Sequence, residues 1–415
     1  MAAGISAMEI GMSSRAPGKE PLRMMVGVTS DQTCLVLRGR LGALQRAGFA
    51  VTLVASPGPL LELTAAAEGV VAAPVRISRG ISPLLDFYSL IQLWRLLRRE
   101  RPTVTDFSTP KAGLLGNLAA WALRVPCRVY TLRGLKLESS RGRKQLLLLW
   151  SERLAAWCAD VVLCNSESLL QRALELRIAP TQKMHMLGDG SSNGVDTIRF
   201  SPGKSDVRVR LEITDKDAVI GFVGRLTTDK GVPELIEAFE LILRDEPQCW
   251  LLLVGWFDES EDALDKSWRR RISEHPRIRH TGYVGDAAPY YRAMDVLVLP
   301  THREGFPNVA LEASASGVPV ITTASTGAID AVIPEVTGMQ IPVCDPDAIA
   351  DTTLALLRDA EKRRRMGKSG RAWVVERFSR ERVLGLAVEF YRELVEKQGI
   401  GNTKTIKGNP SLRSG

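Results

Sequence analysis

Apolar runs of four to seven residues alternate along this chain with longer amphipathic segments, and short polar loops separate the two. That rhythm leaves few folds open. Short apolar runs joined by helical crossovers make parallel sheets with helices on both faces, an α/β architecture. In the first half the runs are Arg23–Thr29, Val51–Ala55, Thr103–Phe107, Arg128–Leu132, Val161–Asn165 and Met184–Leu187, with helical segments at Leu35–Ala47, Leu84–Glu100, Lys111–Leu123 and Arg143–Ala159. In the second half they are Ala218–Val223, Trp250–Val254, Arg279–Tyr283, Asp295–Leu299 and Pro319–Thr322, with helices at Pro233–Leu243, Val309–Ala315 and Pro346–Leu357. A chain of 415 residues exceeds one ordinary core. The turn-forming stretch Gly188-Asp-Gly-Ser-Ser-Asn-Gly194 admits neither strand nor long helix and marks the change of domain. The expected layout is a disordered leader over 1–22, domains over 23–200 and 201–379, an amphipathic helix over 380–398 and a disordered tail over 399–415.

Six cysteines, at 34, 127, 158, 164, 249 and 344, contain no Cys-x-x-Cys pair, which gives neither a zinc framework nor a disulfide one and fits a reducing compartment. No run reaches the roughly 18–20 apolar residues of a spanning helix. The charge is lopsided. Residues 1–200 carry 25 Lys/Arg against 15 Asp/Glu, and the remainder 30 against 32. A basic first half suits anionic lipid, a phosphate-bearing substrate or nucleic acid, and equally a solubilising surface. No clustered basic stripe with aromatics supports nucleic acid, so no nucleic-acid partner is expected.

Chemistry concentrates in the second half. The loop Glu304-Gly-Phe-Pro-Asn-Val-Ala-Leu-Glu312 follows the run Asp295–Leu299 and opens a helix. Strand, glycine loop and helix N-terminus form an arrangement that holds phosphorylated ligands. Two glutamates flanking it suit a polyhydroxylated ligand, since each carboxylate accepts several hydroxyl bonds. Glu304 fits a helix start, where a carboxylate is common anyway. Glu312 lies deeper, between Leu311 and Ala313, and needs a partner, for which a ribose diol is one candidate. Upstream, Arg225 and Lys230 follow the run ending at Val223, placed to clamp a diphosphate without a metal or to serve as solvated surface cations. Asp215-Lys-Asp217 and Asp345-Pro-Asp347 spell the Asp-x-Asp of metal-dependent sugar transferases, but each sits at a turn or helix start where aspartate caps. No Walker loop, nucleophile elbow or His-Glu-x-x-His helix is present. Neither metal nor cofactor is expected.

Taken together, Gly224-Arg225, Lys230-Gly231, Gly282-Tyr-Val284, the Glu304/Glu312 pair, Gly317-Val-Pro-Val-Ile321 and Asn193-Gly-Val-Asp196 resemble the retaining glycosyltransferases of family 4. The resemblance covers roughly residues 23–398. It implies the GT-B fold of two facing Rossmann-like domains, acceptor-binding first and donor-binding second, with the last helix returning towards the first domain. Ser108-Thr-Pro-Lys-Ala-Gly-Leu-Leu-Gly116, Tyr130-Thr-Leu-Arg-Gly134 and Gly327-Ala-Ile-Asp330 are similar to the bacterial transferases that extend lipid-linked sugars of capsule, O-antigen or N-glycan. That likeness implies a nucleotide-sugar donor, expected to carry UDP, and a polyprenyl-diphosphate sugar acceptor at an anionic inner leaflet, hence a cytoplasmic, peripheral location. By the same likeness, Arg225 and Lys230 hold the donor diphosphate and Glu312 the ribose. Glu304, with the backbone of Gly305 and Phe306, meets the transferred sugar. Val284 lies against the base, and the amides of Asn308 and Val309 face the phosphate. Glu304, Lys230 and Arg225 are the implied catalytic set, and the reaction keeps the anomeric configuration.

The first domain departs from the family pattern. Many relatives carry a histidine there, whereas no histidine precedes His185 and the corresponding stretch reads Asp106-Phe-Ser108. Asp106 and Ser108 are alternative sugar contacts, each equally readable as structural. Lys111 and Arg133 are candidates for the acceptor diphosphate, each also readable as a surface cation. The helix from Leu84 carries a wide apolar face and ends in Arg98, Arg99 and Arg101, which suits packing on the sheet or lying in a membrane interface. A nucleotide-sugar 2-epimerase and a non-catalytic nucleotide-sugar-binding subunit are the rival functions.

Overall fold

The computed structural model describes residues 21–78, 80, 82–259 and 262–400. The expected leader and tail fall almost wholly outside the described residues, although Leu22 opens the first strand. Two all-parallel sheets organise the chain. The first contains β1 Leu22–Gly27, β2 Phe49–Ala55, β3 Val71–Pro74, β4 Val104–Ser108, β5 Cys127–Leu132, β6 Val161–Cys164 and β7 Met184–Met186, in the order β3-β2-β1-β4-β5-β6-β7. The second contains β8 Val219–Val223, β9 Trp250–Val254, β10 Ile278–His280, β11 Val296–Leu299, β12 Val320–Thr323 and β13 Gly338–Ile341, in the order β10-β9-β8-β11-β12-β13. Both are Rossmann-like, as the GT-B resemblance implies. In each, strand order reverses beside the first strand, and that reversal opens a crevice at the carboxyl ends where such sheets bind ligands.

Central strands form where they do because both of their faces are buried. All of β4, β8, β9, β11 and β12 is buried, and in β8, β9 and β11 the apolar residues run on without alternation. Two of the four edge strands, β3 and β13, were not expected from sequence. One is half-exposed, the other holds a glycine and a glutamine, and neither has a strong apolar run. The expected helix over 35–47 is in fact two pieces, a 3-10 turn at Asp31–Leu37 and a helix at Arg40–Arg46, broken at Gly39 with φ 83°.

The final helix, Arg380–Lys397, crosses back to the first domain. Tyr391, Leu394 and Val395 join the core built by β1, β2 and their helices. Its polar anchor is a hydrogen bond from the Tyr391 hydroxyl to Asp106 Oδ2 at 2.7 Å, while Thr131 Oγ1 donates to Asp106 Oδ1 at 2.6 Å. Burial and the Asp106 carboxylate push the Tyr391 phenol well above its ordinary pKa, so the proton stays in place to donate. Tyr391→Phe strips a buried carboxylate of one partner. It is expected to lower stability by about 1–3 kcal/mol, read as a lower midpoint in urea. A midpoint unchanged from wild type would mean the bond contributes nothing to docking the helix.

Candidate active site

The crevice of the second sheet is built from loops that leave the carboxyl ends of its strands. After β8 the chain makes a 3-10 turn at Thr228–Lys230 and enters the helix Val232–Asp245 through Gly231, whose φ is 70°. A Cβ on Gly231 would lie 2.0 Å from the Pro300 carbonyl oxygen, so only glycine lets this turn press against the loop after β11. The apposition brings Lys230 to Glu304, and the two side chains form a largely buried ion pair across the switch point between β8 and β11. Arg225, further exposed, is paired with Asp258. Asp229 sits beneath, accepting from Thr227 Oγ1 at 2.6 Å and from Arg303 Nη2 at 3.2 Å. Burial alone would raise the Asp229 carboxyl; Lys230, the Thr227 hydroxyl and Arg303 outweigh it and hold it below the usual carboxylate range.

Glu312 lies on the helix Asn308–Ala315, and its partner is the buried Tyr291, whose hydroxyl donates to Oε2 at 2.9 Å. Burial pushes the Glu312 carboxyl up to about 7, against the opposing pull of that bond. Sequence reasoning missed Tyr291, since a tyrosine twenty-one positions away carries no local signal. Helix 308–315 presents the first-turn amides of Asn308 and Val309, which have no intrahelical acceptor. The Phe306 side chain is buried against Phe378, with ring centroids 5.4 Å apart, so Phe306 offers a ligand its backbone and not its ring. Val284 follows β10 and packs on the second-domain core, next to Tyr283, which meets Trp256 edge-to-face at 5.7 Å.

The two domains meet along this crevice. Arg133-Gly134, just after β5, packs backbone to backbone on Glu304-Gly305: a Cβ on Gly305 would lie 2.3 Å from the Arg133 carbonyl oxygen. The seam continues through Ser191 Oγ to Asn308 Oδ1 at 3.1 Å, Thr326 Oγ1 to Glu138 Oε1 at 2.8 Å, and Ser168 N to Asp330 Oδ2 at 3.0 Å.

On the first-domain side the sequence candidates separate. Lys111 is tied to Asp86 at 2.7 Å and to Ser78 Oγ at 3.0 Å, so its charge is already met by the neighbouring helix. Asp106 is 2% exposed, with both carboxyl oxygens taken by Thr131 and Tyr391. Arg133 reaches Ser108 Oγ at 3.0 Å and Ser192 Oγ at 2.9 Å, which leaves its buried Nη2 without a partner. Arg40 lies near, bonding Ser192 O at 3.3 Å with its buried Nε likewise unpartnered. Burial, helped by Arg40 and opposed by Asp106, draws the Arg133 guanidinium down to about 10. Two guanidinium groups facing a single carboxylate leave a net positive, under-satisfied corner suited to an anion.

Asp345 caps the helix Pro346–Arg358 by accepting from Ala348 N at 2.9 Å, and Asp217 accepts from Trp250 Nε1 at 3.0 Å. One aspartate of each Asp-x-Asp pair thus has structural work. Among the described residues no helix is long and apolar enough to cross a membrane.

Known proteins resemble the chain at both levels. The family profile "Glycosyl transferases group 1" matches residues 204–373, and "Glycosyl transferase 4-like domain" matches residues 36–190. The chain is 35% identical, over 85% of its length and 92% of the other's, to the capsular polysaccharide biosynthesis glycosyltransferase CapM of Staphylococcus aureus. It is 29% identical to the Escherichia coli UDP-Gal:alpha-D-GlcNAc-diphosphoundecaprenol alpha-1,3-galactosyltransferase, over 77% of this chain and 82% of that one. Sucrose-phosphate synthase from Thermosynechococcus elongatus superposes with a TM-score of 0.74 at 23% identity, over 91% of this chain and all of the other.

Proposed function

Because the chain belongs to the glycosyltransferases of GT-B fold that build capsular and lipid-linked glycans, we propose that it moves a hexose or N-acetylhexosamine, with retention, from a nucleotide diphosphate sugar to a polyprenyl-diphosphate-linked sugar. UDP is the proposed donor nucleotide, and the E. coli relative named for UDP-Gal and a diphosphoundecaprenol acceptor supports that pairing. The observation that carries the reading is the Lys230–Glu304 pair astride the switch point, with Arg225 and Glu312 on the same crevice. Lys230 exchanges Glu304 for a diphosphate oxygen, and Glu304, released, accepts from a hydroxyl of the sugar. Glu312 takes the ribose, and Val284 flanks the base. The acceptor hydroxyl oxygen bonds to the anomeric carbon on the face the diphosphate leaves. The carbon–oxygen bond to the diphosphate breaks, and the proton passes to the departing phosphate. Lys230 and Arg225 stabilise the charge gathering there, which requires neither a protein base nor a metal. The acceptor diphosphate sits at the under-satisfied Arg133 corner, and Lys111 holds its own loop.

Thermal shift in the presence of EDTA tests the donor reading. UDP or a UDP-sugar is expected to raise the melting temperature, GDP and ADP to raise it less, and Glu312→Ala to abolish the shift. A UDP shift that persists in Glu312→Ala would move the ribose contact elsewhere, and no shift with any nucleotide would overturn the assignment. Glu312 also sets a pH dependence. With its carboxyl up at about 7 it is protonated in mild acid and accepts poorly from a diol. UDP affinity is expected to rise between about pH 6 and pH 8 and to flatten in Glu312→Gln. Stability runs the other way. The folded state holds this proton more tightly than the unfolded chain, so the contribution of Glu312 falls as pH rises from the ordinary glutamate value of 4.5 to about 7. A pH-independent UDP affinity in wild type would break this link.

Contact with an anionic membrane is proposed for the face formed by three neighbouring helices, Pro83–Glu100, Pro110–Ala122 and Gly142–Cys158. The first buries Ser89, Leu93 and Leu97 on the sheet, as one sequence reading has it, and leaves Leu84 86% and Phe87 63% exposed, which supports the interface proposed here. The third exposes Leu146, Leu147, Trp150 at 63% and Trp157 at 59%, and its first turn carries Arg143 and Lys144. A groove of about 920 Å³ runs between the third helix and segment 174–183, lined by Trp150, Leu154, Trp157 and Ile178 with Arg153 and Arg177, and shares no residue with the cleft. Tryptophan beside arginine suits the lipid interface. Replacing Trp150 and Trp157 by serine is expected to lower sedimentation with phosphatidylglycerol vesicles by about tenfold or more. Equal binding of wild type and variant would remove this face from consideration.

A further inference from the structure

Beside the donor crevice, three side chains of different chemistry converge from three separate segments. Glu234 comes from the first turn of helix Val232–Asp245, His302 from the loop after β11, and Cys344 from the loop after β13. Glu234 Oε1 lies 2.8 Å and Cys344 Sγ 3.4 Å from the same ring nitrogen, His302 Nε2. One imidazole nitrogen has a single in-plane site, a proton or a lone pair, so it serves Glu234 or Cys344, and the other partner open to the Cys344 thiol is the same Glu234 carboxylate. A proton relay would place its two partners on opposite ring nitrogens. Here both crowd one nitrogen, and one donor atom from each of the three residues lies within 4.8 Å of the others. The second carboxylate oxygen, Glu234 Oε2, is buried without a hydrogen-bond partner. Donors of a tetrahedral zinc ion stand roughly 3.3–3.8 Å apart, given Zn–N, Zn–S and Zn–O bonds of about 2.0–2.3 Å; the His302–Cys344 separation of 3.4 Å falls in that range, and the Glu234–His302 pair at 2.8 Å opens as the ion replaces their hydrogen bond.

From this convergence we infer a transition-metal site at Glu234, His302 and Cys344 that takes a zinc ion, with a fourth position left to solvent. Carboxylate, imidazole and thiolate are ligands zinc accepts, whereas magnesium and calcium favour oxygen alone. On binding, the Cys344 S–H proton leaves to solvent and a Zn–S bond forms. The resulting carboxylate and thiolate charges balance those of the ion. Bound zinc ties the loop that carries Glu304 to the helix that follows Lys230, so the site would stiffen the donor crevice from outside it. The inference is independent of the donor and acceptor proposed above.

Cobalt(II) and zinc added to the full chain provide the test. In wild type, one equivalent of cobalt is expected to give a thiolate-to-metal charge-transfer band with intense ligand-field bands, and zinc to erase both. Cys344→Ser should lose the charge-transfer band, and His302→Gln should weaken zinc binding by about tenfold or more. Cys344 is exposed while the other five cysteines are buried, so alkylation by iodoacetamide under native conditions reads this thiol directly. Zinc is expected to slow that alkylation at least tenfold. Zinc should also raise the melting temperature of wild type and leave Cys344→Ser unmoved. The site is overturned by a cobalt spectrum that is the same in wild type and both variants, or by a spectrum without a thiolate band together with unprotected alkylation.

Discussion

Lys230→Ala is expected to lower turnover by about 10²–10³-fold while the dissociation constant for the nucleotide sugar changes by less than about tenfold. The asymmetry follows from where the lysine starts. Before donor binds, its ammonium already holds Glu304 in a largely buried pair, so gaining a diphosphate oxygen in the ground state replaces one anionic partner by another. On the proposed mechanism, the bond to the anomeric carbon is breaking in the transition state, and negative charge collects on the diphosphate oxygen assigned to Lys230. Only there does the lysine gain more than it gives up, and interactions stronger in the transition state are those that raise turnover. Removing it also leaves Glu304 unpaired, close to the diphosphate, which adds repulsion. The double variant Lys230→Ala with Glu304→Gln separates the two effects: the repulsive part should disappear and the loss of turnover should persist. Equal losses in kcat and in donor affinity for the single variant would make Lys230 a uniform binding group and remove it from the catalytic set.

What could be read in advance follows from how local each signal is. Buried central strands announce themselves by continuous Val, Ile and Leu, and the loops that leave them must lie at the carboxyl edge, so Lys230, Glu304 and Glu312 could be placed on one crevice from sequence. The edge strands β3 and β13 pack too little surface to demand an apolar run. Helix 35–47 reads as continuous because its apolar periodicity runs on through Gly39, where the backbone itself turns left-handed. First-domain roles were harder still. Lys111 and Arg133 both follow a strand, and nothing adjacent distinguishes them. The Asp86 that occupies Lys111 lies 25 positions away, and the Tyr391 that occupies Asp106 lies 285 positions away. Long-range partners decide whether a polar residue at a strand end is structural or free for a ligand, and no periodicity or spacing encodes them. Arg133 emerges as an under-satisfied cation only once every neighbouring acceptor has been placed.

Gly305→Ala is expected to cut transfer by about 100-fold or more while UDP itself binds within about threefold of wild type. A Cβ at this position would stand 2.3 Å from the Arg133 carbonyl oxygen and 2.6 Å from its carbon. Both are backbone atoms on the end of a buried strand, so no rotamer change can make room. Relief requires the loop after β11 to withdraw from the end of β5 by about 1 Å, and a displacement of that size between reacting groups is enough to cost about 10²-fold. Arg225, Lys230 and Glu312 all belong to the second domain, so free UDP should find its site intact. The defect should therefore appear in kcat, where apposition of acceptor and donor counts, and only weakly in nucleotide affinity. Gly385→Ala is the control. It lies on the final helix with nothing within 4 Å of its added Cβ, and there alanine should be neutral or slightly stabilising. Full activity in Gly305→Ala would mean that sugar transfer takes place with the two domains further apart than they stand here, and that the contact between residues 133 and 305 belongs to a resting state.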